Sequence, residues 1–251
     1  MIGYGPAFEE LLATPLDESL LVTDFDGTLA PIVTDPAAAA GLPESLGALA
    51  ELARQGLAVI VLSGRSPAYL QAHISIPGVR LLGDNGLEWP SPEEVRALGQ
   101  FNATVQALLA RAPGVRLVPK PASSAIHFRS APELATTLFG EVDSLALTLG
   151  LVASLGRMVI EVRPSRGNKA RAVEAVIQTL HPRCVVFAGD DEGDRDVFAL
   201  LSRLDGVHIA IGIRSDETRA ELFGLCDLVF DSPANYAAFL SEWTNRLPVS
   251  R

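Results

Sequence analysis

A chain of 251 residues is long enough for one large domain, or for a domain with a smaller companion. With 48% hydrophobic and 20% charged residues it can build a sizeable core, which excludes a disordered chain. The formal net charge of −10 argues against a general nucleic-acid binder, because phosphate backbones demand a basic face. A small phosphorylated ligand stays open, since a metal and a few basic groups invert the sign locally. Cys184 and Cys226 are the only cysteines, at no metal-ligand spacing, and read as reduced thiols. The start, "MIGYGPAFEELLATPLDES", carries no early Lys or Arg and no long apolar stretch, so a cytoplasmic location is expected. No run approaches the roughly 20 apolar residues of a transmembrane helix, and no membrane partner is expected.

In chain order, "LLVT" (20–23) reads as a buried strand. "PESLGALAELARQG" (43–56) places Leu46, Leu49, Ala50 and Ala53 at helical spacing, with Gly56 as a stop. "LAVIVL" (57–62) and "VRLLG" (79–83) are two further strands. From about 91 to 165 the texture changes to helix, two strands, helix, two strands: "PEEVRALGQFNATVQALLARA", "VRLVP", "SSAIHFRS", "PELATTLFGEVDSLALTLG", "LVASL" and "RMVIEVRP". Adjacent strand pairs mark an antiparallel sheet, hence an inserted α+β unit. "KARAVEAVIQTL" (169–180) then carries a stripe of Val173, Val176, Ile177 and Leu180. "CVVFAG" (184–189), "VHIAI" (207–211) and "DLVF" (227–230) are strands, and "PANYAAFLSEW" (233–243) is a closing helix with Pro233 near its start. Strand–helix alternation with continuous apolar strands is the pattern of a parallel sheet covered on both faces. The expected organisation is an α/β core of residues 1–89 and 166–251, interrupted by an α+β cap at 90–165.

Ligands of parallel sheets bind at the carboxyl ends of the strands. Asp24 and Asp26, Ser63 and Arg65, and Asp190 and Asp191 each follow an expected strand directly, and Lys169 opens a helix. A carboxylate cluster there can bind a hard divalent cation or contribute a nucleophile and an acid/base, and the spacing permits both. Metal and Lys169 together would offset the charge that keeps a carboxylate away from a phosphate.

"DFDGTLAPIV", "VLSGR" (61–65), Lys169 in "GNKARAV" and "FAGDDEGD" (187–194) resemble, in order, the four motifs of the haloacid dehalogenase superfamily of phosphohydrolases. Together with "GDNGLEW", "KPASSAIHFR" and "GRMVIEVRP", the stretch from about 20 to 200 is similar to the trehalose-6-phosphate phosphatases. The resemblance implies a Rossmann-like core, with a cap that closes over a small sugar phosphate and excludes water. It implies Mg²⁺-dependent hydrolysis of a phosphate monoester through an aspartyl phosphate, with Asp24 as nucleophile and Asp26 as general acid/base. Thr28, Ser63 and Lys169 would hold the phosphoryl oxygens. Asp24, the Asp26 carbonyl and Asp190 would bind Mg²⁺, supported by Asp191 and Asp194. Lys120, Arg129 and Glu161 fall where that family's cap meets substrate, and Arg65 is a further substrate-binding candidate. Trehalose 6-phosphate is the first substrate, placing the chain in disaccharide synthesis, and the oligomeric state is left open.

The chain departs from the family pattern at Val118, where Glu is usual, and at Asn85, where His is usual. Thr usually stands at Gly193, Glu at Arg195, and Gly at Ala170. Val118 favours a phosphatase for another sugar, such as sucrose phosphate or mannosyl- or glucosyl-phosphoglycerate. A non-catalytic regulatory module is a third reading, although it would not need Asp26. Plainer readings also attach to single residues. Asp and Gly dominate turns, and Ser63 is an ordinary helix N-cap candidate. Lysines such as Lys120 and Lys169 usually face solvent. Glu161, between Ile160 and Val162, is the outward residue of a period-two strand, as is His127 between Ile126 and Phe128. Trp89 and Trp243 are expected to pack rather than to bind sugar.

Overall fold

The computed structural model describes residues 4–33, 35–87, 90–120, 122–156, 158–164, 168–214, 218 and 220–247. Trp89, and the expected boundary residues 89, 165 and 166, lie outside the described residues. So do Glu88, Pro121, Arg157 and Gly167 of the motifs quoted above. The chain divides into two compact units, Met1–Gly86 with Lys169–Arg251, and Leu87–Asn168.

The first segment runs α1 (Pro6–Ala13), β1 (Ser19–Thr23), α2 (Pro43–Arg54), β2 (Ala58–Leu62), α3 (Pro67–His73) and β3 (Val79–Leu82). The second unit holds α4 (Pro92–Leu109), β4 (Arg116–Pro119), β5 (Ser124–His127), α5 (Ala135–Thr148), β6 (Leu151–Gly156) and β7 (Val159–Pro164). The chain then returns through α6 (Lys169–Leu180), β8 (Cys184–Gly189), α7 (Arg195–Leu201), β9 (Val207–Ile213), β10 (Leu228–Phe230) and α8 (Pro233–Arg246). Among the described residues no helix is long and apolar enough to cross a membrane.

The first unit is built on a six-stranded sheet of order β10-β9-β8-β1-β2-β3, and every neighbouring pair in it is parallel. All five residues of β1 are buried, as a strand covered on both faces must be. Leu20, Leu21, Ile60, Val61, Val186 and Phe187 fill its centre, each contributing roughly 1.5–3 kcal/mol on full burial. The register sets Thr23 opposite both Val61 and Ala188, so β1, β2 and β8 finish level with one another. That common edge is where the reactive side chains emerge.

Two apolar stripes fall one step from where the spacing put them. On α2 the buried residues are Ser45, Ala48, Leu49 and Leu52, with Leu46 and Ala53 only partly buried against the core. On α6 they are Lys169, Ala172, Val173, Ala175 and Val176, whereas Leu180 is 45% exposed. The reason is visible at Ala172: Gly86 has φ +82° and lies so near that a Cβ there would overlap the alanine methyl. Small residues let α6 approach the 84–86 turn closely, and this turns Leu180 outward. The helices α1 and α7 had no counterpart in the sequence reading. Phe8 of α1 and Phe239 of α8 meet at 5.1 Å between ring centroids, and Trp243 is fully buried nearby, a packing residue as expected.

The second unit is a four-stranded antiparallel sheet, β4-β5-β7-β6, lined by the apolar faces of α4 and α5. A capping box starts α4: Glu94 N–H donates to Ser91 Oγ (3.3 Å) and Ser91 N–H to Glu94 Oε2 (2.7 Å). Ile160 and Val162 of β7 pack on Phe101, Val105 and Val142, which leaves Glu161 outward as the alternation required. His127 is likewise exposed between buried Ile126 and Phe128.

Candidate active site

Asp24 directly follows β1, and its N–H still donates to Ala188 O at 2.8 Å, one rung beyond the strand. Behind it the chain reverses sharply: Leu29 and Ala30 N–H donate to Phe25 O at 2.9 and 2.8 Å. Phe25, Leu29 and Ala30 are fully buried, so apolar anchors hold a loop whose other residues are polar. Gly27 has φ +73°, and a Cβ at that position would overlap the Asp190 carboxylate. Glycine is required here twice over, for backbone conformation and for space. Thr28, fully buried, turns its hydroxyl to Asp190 Oδ1 at 3.4 Å.

From the other half of the sheet come Asp190 and the short turn after it. Asp194, fully buried, accepts the Asp190 N–H at 2.9 Å and the Asp191 N–H at 3.2 Å through Oδ2. Its Oδ1 lies 2.7 Å from Lys169 Nζ, and that ammonium reaches Asp24 Oδ2 at 2.9 Å. Lys169 is 6% exposed, so the surface-lysine reading does not hold. Asp24, Asp190 and Asp194 each offer an oxygen within 4.8 Å of the others. Asp191 stands apart from that trio; it is exposed, and it caps the Glu192–Asp194 turn by accepting Gly193 N–H at 2.9 Å.

The third strand end contributes Ser63 and Arg65. Ser63 is buried and accepts Arg65 N–H at 3.2 Å, while the cap of α3 is Ser66, which accepts Tyr69 N–H at 3.3 Å. The capping role expected for Ser63 is thus corrected, because Pro67 starts the helix three residues later than that reading assumed. Arg65 forms a two-pronged pair with Asp26, Nε to Oδ2 at 2.7 Å and Nη2 to Oδ1 at 2.6 Å. A cavity of about 860 Å³ opens over these groups, and Ile32, Asn85, Glu192 and Thr218 also line it. Thr218 donates to the Asp190 carbonyl at 2.5 Å. No strand or motif announced Thr218, whereas Asn85 was visible only as a departure in "GDNG".

In the second unit Lys120 Nζ and Glu161 Oε1 lie 3.4 Å apart, each side chain about half exposed. Arg129 lies within the segment "SSAIHFRS" read as a strand, and Lys120 follows the strand "VRLVP" directly. β4 ends at Pro119 as expected, whereas β5 stops at His127, which leaves both residues just beyond strand ends, with Arg129 exposed in a turn.

Charge dominates the site. Burial raises the Asp24 pKa, although Lys169 opposes the shift. Burial, with the Asp24 and Asp194 charges adding to it, pushes Asp190 up to about 8. Asp194 is raised to about 7 by burial despite its bond to Lys169. For Lys169, burial works downward, but the Asp24 and Asp194 carboxylates outweigh it and hold the ammonium above its ordinary value. Among the described residues, three buried carboxylates therefore share one buried cation. An all-oxygen donor set with surplus negative charge fits a hard divalent cation such as Mg²⁺.

A family model described as Trehalose-phosphatase matches residues 22–223. The chain belongs to the trehalose-phosphatase family. It is 32% identical over 247 residues to a trehalose-phosphate phosphatase of Mycobacterium marinum, covering 89% of this chain and 61% of that protein. A Mycobacterium tuberculosis trehalose-phosphate phosphatase is 33% identical with the same coverage. The chain thus spans 61% of the length of the curated relatives it matches. Its fold is shared with Aspergillus fumigatus trehalose-6-phosphate phosphatase (TM-score 0.60, 24% identity, 97% and 98% of the two chains covered). The C-terminal domain of Candida albicans trehalose-6-phosphate phosphatase superposes with TM-score 0.59 at 19% identity, covering 98% of both. The α/β parallel core with a separate antiparallel unit is thereby the expected fold class.

Gly27→Ala is a sharp test of the site's construction. The left-handed backbone alone costs about 1–2 kcal/mol for a residue with a Cβ, and the methyl must also push Asp190 aside. The variant is expected to fold with a lower Tm and to show a smaller rise in Tm on addition of Mg²⁺ than the wild type. A Mg²⁺-induced Tm rise equal to that of wild type would show that Asp190 does not hold the ion.

Proposed function

We propose that this trehalose-phosphatase family member hydrolyses a sugar phosphate monoester, trehalose 6-phosphate first among the candidates, through an aspartyl phosphate and with Mg²⁺. One observation carries the reading: Asp24, buried at the end of the central strand, holds its carboxylate 2.9 Å from the Lys169 ammonium. Asp24 Oδ forms a bond to phosphorus while the bond from phosphorus to the sugar oxygen breaks, and Asp26 gives its proton to that leaving oxygen. Water then attacks phosphorus, the Asp24–phosphorus bond breaks, and Asp26 takes the water proton. Lys169, Ser63 and Thr28 orient the phosphoryl group, with Lys169 balancing charge on it. A divalent cation, held by the Asp24, Asp190 and Asp194 carboxylates and the Asp26 carbonyl with Asp191 beside them, supplies further neutralisation of the phosphoryl oxygens when bound. Lys120, Arg129 and Glu161 of the cap unit recognise the sugar, and the protein acts in disaccharide synthesis in the cytoplasm.

Val118 supports a second substrate. The register sets it opposite Ala125, which in turn faces Glu161, so an apolar residue shares the sheet face of Glu161 and Lys120. A phosphorylated sugar that presents no donor at that point, whether sucrose phosphate or mannosyl- or glucosyl-phosphoglycerate, would suit it. The test is phosphate release from a panel of phosphorylated sugars with Mg²⁺ or with EDTA, on wild type and Lys120→Ala. Trehalose 6-phosphate should lead the panel, EDTA should abolish release, and Lys120→Ala should raise KM about tenfold with kcat little changed. Another preferred sugar would keep the chemistry and move the substrate; silence on every sugar would favour a regulatory module.

A further inference from the structure

We infer that Arg65 and Tyr69 are positioning residues that aim the Asp26 carboxylate, through a stacked relay that runs from the reaction loop to α3. The inference rests on the reading of Asp26 as acid/base. Both Asp26 oxygens are engaged by the planar guanidinium of Arg65, at 2.7 and 2.6 Å, which leaves the carboxylate little rotational freedom. The guanidinium carbon in turn lies 4.5 Å from the centroid of the Tyr69 ring.

That ring is itself held from three directions. Its hydroxyl donates to Ala39 O at 2.8 Å, His73 stacks on it at 3.9 Å and 16°, and Phe25 meets it edge-on at 6.2 Å. Phe25 stands between Asp24 and Asp26 in the chain and is fully buried. Tyr69 thus touches the loop on one side and the group that grips Asp26 on the other. The backbone of Arg65 is pinned as well: its N–H donates to Ser63 Oγ at 3.2 Å, and its carbonyl accepts Asp84 N–H at 2.8 Å. A residue meant only to bind substrate would not need its charged end committed to Asp26 and its flat face committed to a fixed ring.

A carboxylate accepting one bond per oxygen keeps further lone pairs for a water proton. The relay therefore serves the second half-reaction, in which the water–phosphorus bond forms, the Asp24–phosphorus bond breaks and the water proton passes to Asp26. A misaimed Asp26 slows that step and lets phosphoenzyme accumulate.

The experiment uses Tyr69→Leu, Tyr69→Phe and Asp26→Asn, with the sugar phosphate turned over fastest in the panel above, labelled with ³²P. For Tyr69→Leu, kcat should fall about tenfold with KM falling alongside it and kcat/KM little changed, because only the step after phosphoenzyme formation is slowed, and the fraction of chain carrying acid-quenched ³²P during turnover should rise. Tyr69→Phe, which keeps the ring, should recover most of the rate. Asp26→Asn should lose about 10²–10⁴-fold, the usual worth of a general acid/base. A Tyr69→Leu protein with lowered Tm but wild-type kcat and phosphoenzyme fraction overturns the relay, as does a rise in KM at constant kcat, which would make Arg65 a substrate contact. Wild-type rates in Asp26→Asn overturn instead the reading on which the relay rests, and silence of the wild type on every phosphate overturns both.

Discussion

Asp24→Asn is expected to lower phosphate release by about 10⁴–10⁶-fold, the scale on which removal of a covalent nucleophile is felt, while the protein stays folded. Asparagine has nearly the shape of aspartate and still presents an oxygen to Lys169, 2.9 Å away in the native site. It lacks the anionic oxygen that bonds to phosphorus. Stability should change little, because two effects oppose one another. Lys169 loses one of its carboxylates but keeps Asp194 at 2.7 Å. Asp190 and Asp194 meanwhile lose a neighbouring charge that helps to raise them. The Asp190 pKa should consequently fall below its native value of about 8. The comparison that decides is with Asp26→Asn, which retains Asp24 and should still take up ³²P from labelled substrate. Asp24→Asn should take up none. If Asp24→Asn releases phosphate at a rate near wild type, Asp24 is a metal ligand only, and water attacks phosphorus directly.

How far the sequence carries one to this site depends on range along the chain. Asp24, Ser63 and Asp190 were legible because a parallel sheet concentrates function at strand ends, and the apolar runs before them are continuous. Lys169 was legible as a motif residue but not as a buried one, since nothing local says that two carboxylates wait for it. The Arg65–Asp26 pair spans 39 positions, and a three-residue "SGR" does not announce its partner. Thr218 has no local signal, because it donates to the carbonyl of Asp190, 28 residues away. The phases of α2 and α6 were missed for a different reason. Several stripes fit a 3.6-residue period, and the choice among them is made by what lies opposite, which for α6 is the close approach of Gly86. Helices α1 and α3 are eight and seven residues long, with only Phe8 and Leu11 buried on the first and Leu70 on the second, too few to show a period.

Lys169→Met should damage stability as well as activity, and the damage should depend on pH. Among the described residues the ammonium is the one cation of the buried cluster, lying between Asp24, 5% exposed, and Asp194, fully buried. Breaking a buried pair by removing one partner costs about 3–5 kcal/mol, because the other charge is left without compensation. The remaining carboxylates can escape that cost by taking up protons. They are acids whose folded pKa lies above the unfolded value, Asp194 at about 7 and Asp190 at about 8 even with Lys169 present. Such a group contributes its stability below the unfolded pKa and loses it as pH rises toward the folded one, with a slope of at most about 1.4 kcal/mol per pH unit for each group. Without Lys169 the folded pKa values climb further. The Tm deficit of Lys169→Met relative to wild type, measured in EDTA, should therefore be smallest and nearly level up to about pH 6 and widen from about pH 7 upward, where the wild-type carboxylates release protons that those of the variant keep. Added Mg²⁺ should narrow it most at the alkaline end, where the carboxylates hold their protons least tightly and the ion displaces them most readily. A deficit that is the same at every pH would mean that methionine fails through packing alone, and that the ammonium does not balance the buried carboxylates.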